Sequence, residues 1–81
     1  MTKETNESKE DYLERILMLQ EETHAPVRAI DIANSMGFSK ASVSIALKKL
    51  EEEGFVVVGL KQSLNLTESG REIASKIYER H

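Results

Sequence analysis

Residues 37–54 read GFSKASVSIALKKLEEEG, and this stretch describes one helix with a start, a stop and two unlike faces. Gly37 suits the end of a preceding helix, because it enters the left-handed region without steric cost. Ser39 follows as an N-cap, its hydroxyl placed to accept a free backbone N–H of the first turn. Phe38 precedes the cap and Val43 stands at the fourth helical position, the spacing of a hydrophobic staple. Gly54 closes the helix. Val43, Ala46, Leu47 and Leu50 recur at 3.6-residue period and form the inner face. Ala41, Ile45, Lys48, Lys49 and Glu52 lie opposite. The first two turns carry small or hydroxylated residues (Ser39, Ala41, Ser42, Ser44), which leave room for a close approach to base edges in a major groove.

Taken alone this is also the pattern of any amphipathic surface helix. Its neighbours decide the reading. A short helix precedes it across the Gly37 turn: Ala29–Met36, with Ile30, Ala33 and Met36, or Ile32 in place of the last, turned inward. After Gly54 the period changes to two, in Phe55-Val56-Val57-Val58, a polar tip Lys61-Gln62-Ser63, and Leu64-Asn65-Leu66. That is a β-hairpin of two short strands. Helix, turn, helix and hairpin together are a DNA-binding arrangement.

The rest of the chain completes it. Met1–Glu7 reads as a disordered arm. Ser8 caps a first helix running to about Glu22, with Asp11 three residues on in a short version of the capping box. Tyr12, Leu13, Ile16, Leu17 and Leu19 give that helix a wide apolar stripe. Thr23–Pro26 is a loop that includes His24, read as loop surface, and Val27 is a single extended residue. Thr67 caps a last helix from Glu68 to His81, with Ile73, Ala74, Ile77 and Tyr78 on its apolar face. The fold class is mainly α with a small β-hairpin, a winged helix-turn-helix in the order α-α-α-β-β-α over residues 8–81. The expected core joins Val43, Leu47 and Leu50 to Ile16, Leu17, Ile32 and Val57.

Eighty-one residues make one domain, and the formal net charge is −3. A nonspecific nucleic-acid coat would be basic. Here the charge is polarised instead: from Ser39 to Leu50 there are three lysines and no acid, while acids gather in Met1–Glu22 and at Glu51–Glu53. Cysteine is absent, which excludes disulfides and thiolate metal sites and is compatible with a cytoplasmic location. No apolar run approaches the roughly 18 residues of a membrane span. No nucleophile pairing or phosphate-cradling glycine loop points to an enzyme. The last helix ends without a stop signal, so we expect a domain cut from a longer protein.

The stretches EDYLERILMLQEE, DIANSMGFSKASVSIALKKLEEEGFVVV and LNLTESGREIA, with the final Arg-His, resemble the N-terminal winged-helix domain of metal-dependent repressors of the diphtheria toxin repressor type. The likeness covers the chain from about Glu10 to His81. It implies a sequence-specific DNA-binding domain of a manganese- or iron-responsive transcriptional repressor, with Mn²⁺ or Fe²⁺ as cofactor. It also implies a homodimer for the full-length protein and double-stranded operator DNA as partner. Asp11 and Glu14 stand where the manganese-responsive branch holds its metal, the iron-responsive branch carrying Met in place of Asp11, and His81 aligns with a ligand histidine ending the fourth helix. The remaining family ligands and the dimer-forming helices belong to a segment beyond His81, so the resemblance implies a partial metal site in this chain. Two carboxylates and an imidazole suit such ions.

On this reading Lys40, Lys48 and Lys49 meet phosphates, and Ser39, Ala41, Ser42, Ser44 and Ile45 face base edges. Arg28, at the start of the second helix, and Lys61 with Gln62 at the wing tip touch the DNA backbone. Ile45 is a large aliphatic opposite the core face, fit for a thymine methyl. The alternative is a winged helix used as a protein-interaction module without DNA, which the net acidity and the few arginines favour.

Overall fold

The computed structural model describes residues 3–79 in backbone and the side chains from Lys9 onward. Four helices and one hairpin follow in order: α1 (Lys3–Thr23), α2 (Ala29–Met36), α3 (Lys40–Glu52), β1 (Val56–Val58), β2 (Leu64–Leu66) and α4 (Glu68–Glu79), with a tight turn over Leu60–Gln62 between the strands. This is the expected winged helix-turn-helix. Among the described residues no helix is long and apolar enough to cross a membrane.

Local chemistry sets the helix boundaries. α1 ends at His24, which takes a left-handed φ of 54° while its N–H donates to the Gln20 carbonyl. The Thr23 hydroxyl donates back to the Leu19 carbonyl at 2.8 Å. α2 begins at Arg28, whose backbone N–H donates to the Asp31 carboxylate at 3.0 Å. It stops at Gly37, φ 75°, with the Gly37 and Phe38 N–H groups both on the Ala33 carbonyl. α3 opens at Ser39, whose Oγ accepts from the Ser42 N–H at 3.2 Å. It closes at Gly54 in a Schellman pair, Gly54 N–H to Glu51 and Phe55 N–H to Leu50.

Thr67 joins the wing to α4. Its Oγ1 accepts from the Gly70 N–H at 3.1 Å, its hydroxyl donates to the Gly54 carbonyl at 2.7 Å, and its own N–H donates to the Phe55 carbonyl. The end of the third helix, the start of the wing and the start of the fourth helix are thus bonded through one residue.

The strands pair antiparallel, Val56 with Leu66, Val57 with Asn65 and Val58 with Leu64. Val27 adds one bridge to Leu64, with the Leu64 N–H on the Val27 carbonyl. The single extended residue expected there is therefore a short third member of the sheet. The core gathers Tyr12, Leu13, Ile16 and Leu17 of α1, Ile32 and Ala33 of α2, Val43, Leu47 and Leu50 of α3, with Val27, Val56, Leu64 and Ala74. No polar side chain is buried among the described residues.

Three expectations change. The core member from β1 is Val56, and Val57 is exposed. A run of three valines carries no phase, so pairing and not composition selects the inward one. In α2 the buried residue is Ile32, and Ile30 faces outward. Ile32 and Ala33 occupy adjacent positions on the side turned to α1 and α3, which leaves Ile30 on the far flank. Finally, the backbone is already helical at Lys3, so residues 3–7 lie within α1 and Ser8 is inside it rather than at its cap. Lys and Glu propagate a helix at little cost once the packed turns beyond them have nucleated it. Met1, Thr2, Arg80 and His81 lie outside the described residues.

Candidate nucleic-acid interface

The α3 helix is rotated about its axis as its sequence demands. Val43, Leu47 and Leu50 are buried and Ile45 is 64% exposed. Ser39, Lys40, Ala41, Ser42, Ser44, Lys48 and Lys49 are all exposed, so every α3 residue expected to meet DNA lies on the outer side. Thirteen helical residues extend about 20 Å, and a helix of ordinary diameter enters a major groove about 12 Å wide. Ser39 donates its hydroxyl to Ser42 Oγ at 3.0 Å while accepting the Ser42 N–H. That pairing leaves the Ser42 proton for an outside acceptor.

The wing stands beside this face. A shallow cleft is lined by Ser44 and Lys48 of α3, Ala29 of α2, and Val58 and Gln62 of the wing. α3 and the wing therefore share one concave surface. At the wing tip the Ser63 N–H donates to the Leu60 carbonyl, and Lys61 and Gln62 have φ of 55° and 62°. This is the primed two-residue turn whose twist matches a hairpin. It holds Lys61 and Gln62 exposed at the outermost point. Arg28 is exposed next to Val27, whose bridge to Leu64 ties it to β2 at the strand pair nearest the wing turn.

Among the described residues Lys40, Lys48, Lys49 and Lys61 form no ion pair, and their charge is available to phosphates. Lys9 pairs with Glu53 at 2.8 Å, linking α1 to the end of α3. It partly offsets the three acids Glu51–Glu53 that crowd the negative end of the helix dipole. Sequence reading missed this pair, because nothing local connects residues so far apart. It also passed over Leu60, which is 90% exposed at the wing tip.

The carboxylates expected to hold metal sit elsewhere. Asp11 and Glu14 are one turn apart on α1, Asp11 exposed and Glu14 half-buried. His81 lies outside the described residues. Among those described, no three His, Cys, Asp or Glu side chains come together in a way that could hold a metal ion. Two carboxylates are too few donors to hold a divalent ion by themselves, so the described residues do not make a complete metal site.

Residues 4–64 match the family model described as the iron dependent repressor, N-terminal DNA binding domain. The chain belongs to the iron-dependent repressor family. It is 34% identical over 76 residues to an HTH-type transcriptional regulator of Methanocaldococcus jannaschii, an alignment covering 94% of this chain and 61% of that one. It is also 34% identical over 77 residues to the transcriptional regulator MntR of Bacillus subtilis, covering 95% of this chain and 54% of MntR. The solved structure of the manganese regulator SloR superposes with a TM-score of 0.76 at 34% identity, over 90% of this chain and 34% of SloR. The chain spans about half the length of the curated relatives it matches. As a member of this family, the chain is a DNA-binding domain, and its relatives are transcriptional regulators rather than enzymes.

Proposed function

We propose that this chain is the operator-reading part of a metal-responsive repressor, and that α3 reads the operator from the major groove. The observation that carries the reading is the shared surface of α3 and the wing: four unpaired lysines around a helix face of small residues, in a fold whose family model is a DNA-binding domain. Lys40, Lys48 and Lys49 neutralise phosphates on the groove walls, Arg28 and Lys61 with Gln62 hold the flanking backbone, and Ser39, Ala41, Ser42, Ser44 and Ile45 face base edges. Ile45 covers a thymine methyl. Binding of a duplex enriched from a random library, followed by fluorescence anisotropy across a salt series, tests this. The expected result is a steep loss of affinity with salt, from the release of counterions. Affinity independent of salt would contradict it.

The metal response belongs to the same proposal. The relatives include the manganese regulator SloR and MntR. Asp11 and Glu14, oxygen donors on one face of α1, would hold part of a divalent ion site with His81, and further ligands would come from outside this chain. A hard divalent ion supplies charge that draws such ligands together. In the full-length protein a homodimer would place two recognition helices on two half-sites, and a cytoplasmic location fits a protein that reads DNA.

A further inference from the structure

We propose that Leu60 is a minor-groove wedge: when α3 occupies the major groove, the wing tip places this side chain against a base step of the adjoining minor groove and partly unstacks it. The inference rests on the proposal that α3 reads DNA, and assigns a second, separate reading element.

Leu60 is the most exposed large apolar side chain of the described residues, at 90%. A single exposed leucine is ordinary. What distinguishes this one is where it stands and what holds it. It occupies a tight turn, a place usually filled by polar residues. The turn is fastened on both sides: Gly59 N–H to the Ser63 carbonyl at 2.8 Å, Gln62 N–H to the Gly59 carbonyl at 3.1 Å, and Ser63 N–H to the Leu60 carbonyl at 3.0 Å. These bonds fix the base of the leucine at the first position of the wing turn, beside Lys61 and Gln62 and away from the core.

The neighbours specify the occupant. Lys61 and Gln62 follow Leu60 at the same tip. A cation is drawn to the negative potential of a narrow A·T-rich minor groove, and an amide can meet the acceptors on its floor. An apolar wedge flanked by such residues is how proteins open a step from the minor-groove side. The wing and α3 already share one cleft through Val58, Gln62, Ser44 and Lys48, so the turn is continuous with the surface that meets DNA. A minor groove about 6 Å wide excludes a helix but admits one projecting side chain. The favoured step is pyrimidine–purine, which unstacks most easily.

The test uses a duplex selected from a random library with the wild-type chain at low salt, with 2-aminopurine replacing adenines in turn on the flanks of the recognised core. The wild type should raise 2-aminopurine fluorescence at one flanking step. Leu60→Ala should abolish that rise and weaken binding roughly tenfold, the scale expected from losing one buried leucine contact less the cost of unstacking. Leu60→Met should keep the rise. Base preferences under α3 should be unchanged in both variants. Because the side chain is exposed, neither variant threatens the fold, and circular dichroism checks this. Wild-type fluorescence and affinity in Leu60→Ala would overturn the wedge while leaving major-groove reading intact. So would a variant whose change appears only in self-association, which would make the tip a protein contact. Failure of the wild type to bind any selected duplex would overturn both readings.

Discussion

Gly70 meets the backbone of Phe55 edge to edge: a Cβ at position 70 would collide with the Phe55 carbonyl oxygen. The same carbonyl accepts the Thr67 N–H, so it is held in place and cannot swing aside. The glycine is required by close approach between α4 and the strand entrance. Gly70→Ala should therefore destabilise the domain by about 2–3 kcal/mol, as overpacking against rigid backbone does. Its thermal midpoint should fall by 10 °C or more, on the order expected for a chain of this size. Calorimetry or urea unfolding checks this, and a wild-type midpoint would contradict it.

Lys49 and Ile45 separate affinity from specificity. Lys49→Ala should weaken binding about equally for all sequences and lower the salt slope by about one phosphate contact. Ile45→Ala should instead lose discrimination at one position, where a T·A pair is preferred. Competition binding with single-base variants of a selected duplex distinguishes the two. Equal behaviour of both mutants and the wild type would refute α3 as the reading element.

The wing turn holds two non-glycine residues at positive φ, Lys61 and Gln62. Each such residue carries strain of about 1 kcal/mol or more that glycine avoids. Gln62→Gly should raise stability by about 1 kcal/mol, offset in part by the freer unfolded chain, while DNA affinity falls through loss of the amide. A rise in the unfolding midpoint with weaker binding is the expected pair of results. A fall in stability would show that the turn is not strained at Gln62.

Tyr12 is buried against the core with its ring edge-to-face on Phe38, centroids 6.1 Å apart. Burial raises its phenol above the ordinary tyrosine range. Its folded-state pKa thus exceeds the unfolded one, and stability that is complete below the unfolded value is lost as pH climbs through the folded value. Alkaline unfolding followed by tyrosinate absorbance should show a component absent from Tyr12→Phe. An identical alkaline profile in that variant would exclude Tyr12 as its source.

Titrating this chain with Mn²⁺ should give weak binding or none. Asp11 and Glu14 supply two carboxylate donors, and a hard divalent ion takes about six. Adding a C-terminal extension that bears further carboxylate and histidine ligands should create a measurable site, and Asp11→Ala should then remove it. Metal and operator affinities should become linked in the extended protein. A tight stoichiometric isotherm for the 81-residue chain, lost in Asp11→Ala, would show a site already complete.

The end of α2, both ends of α3 and the start of α4 were legible because their chemistry is local, whereas the start of α1 was not, Ser8 lying inside that helix. Ser39, Gly37, Gly54 and Thr67 each act through a bond within a few residues, and each does what its residue type announces. The outer face of α3 was legible for the same reason, since a 3.6-residue period fixes both faces together. Val56 could not be told from Val57, because identical side chains carry no alternation and only pairing with Leu66 chooses between them. Lys9 with Glu53, and Gly70 with Phe55, join residues distant in the chain. No pattern in the sequence announces such contacts. The metal ligands rested on resemblance throughout: two acids one turn apart on a helix are common, and geometry alone assigns them no role.

α1 lies along α4, the two helices packing side against side with Ala74 fully enclosed. Among the described residues, the helix made earliest is thus covered by one made later. During translation, α1 to β2 leave the ribosome while the apolar side of α1 still lacks its cover, and Thr67 has no α4 to cap. α3 is out before the scaffold that orients it can close. At about 5–20 residues per second the wait is only seconds, but it puts folding of this part of the nascent chain after α4 has emerged. A ribosome stalled before α4 would display α3 with no fixed orientation, so the surface that α3 shares with the wing is complete only once α4 has docked.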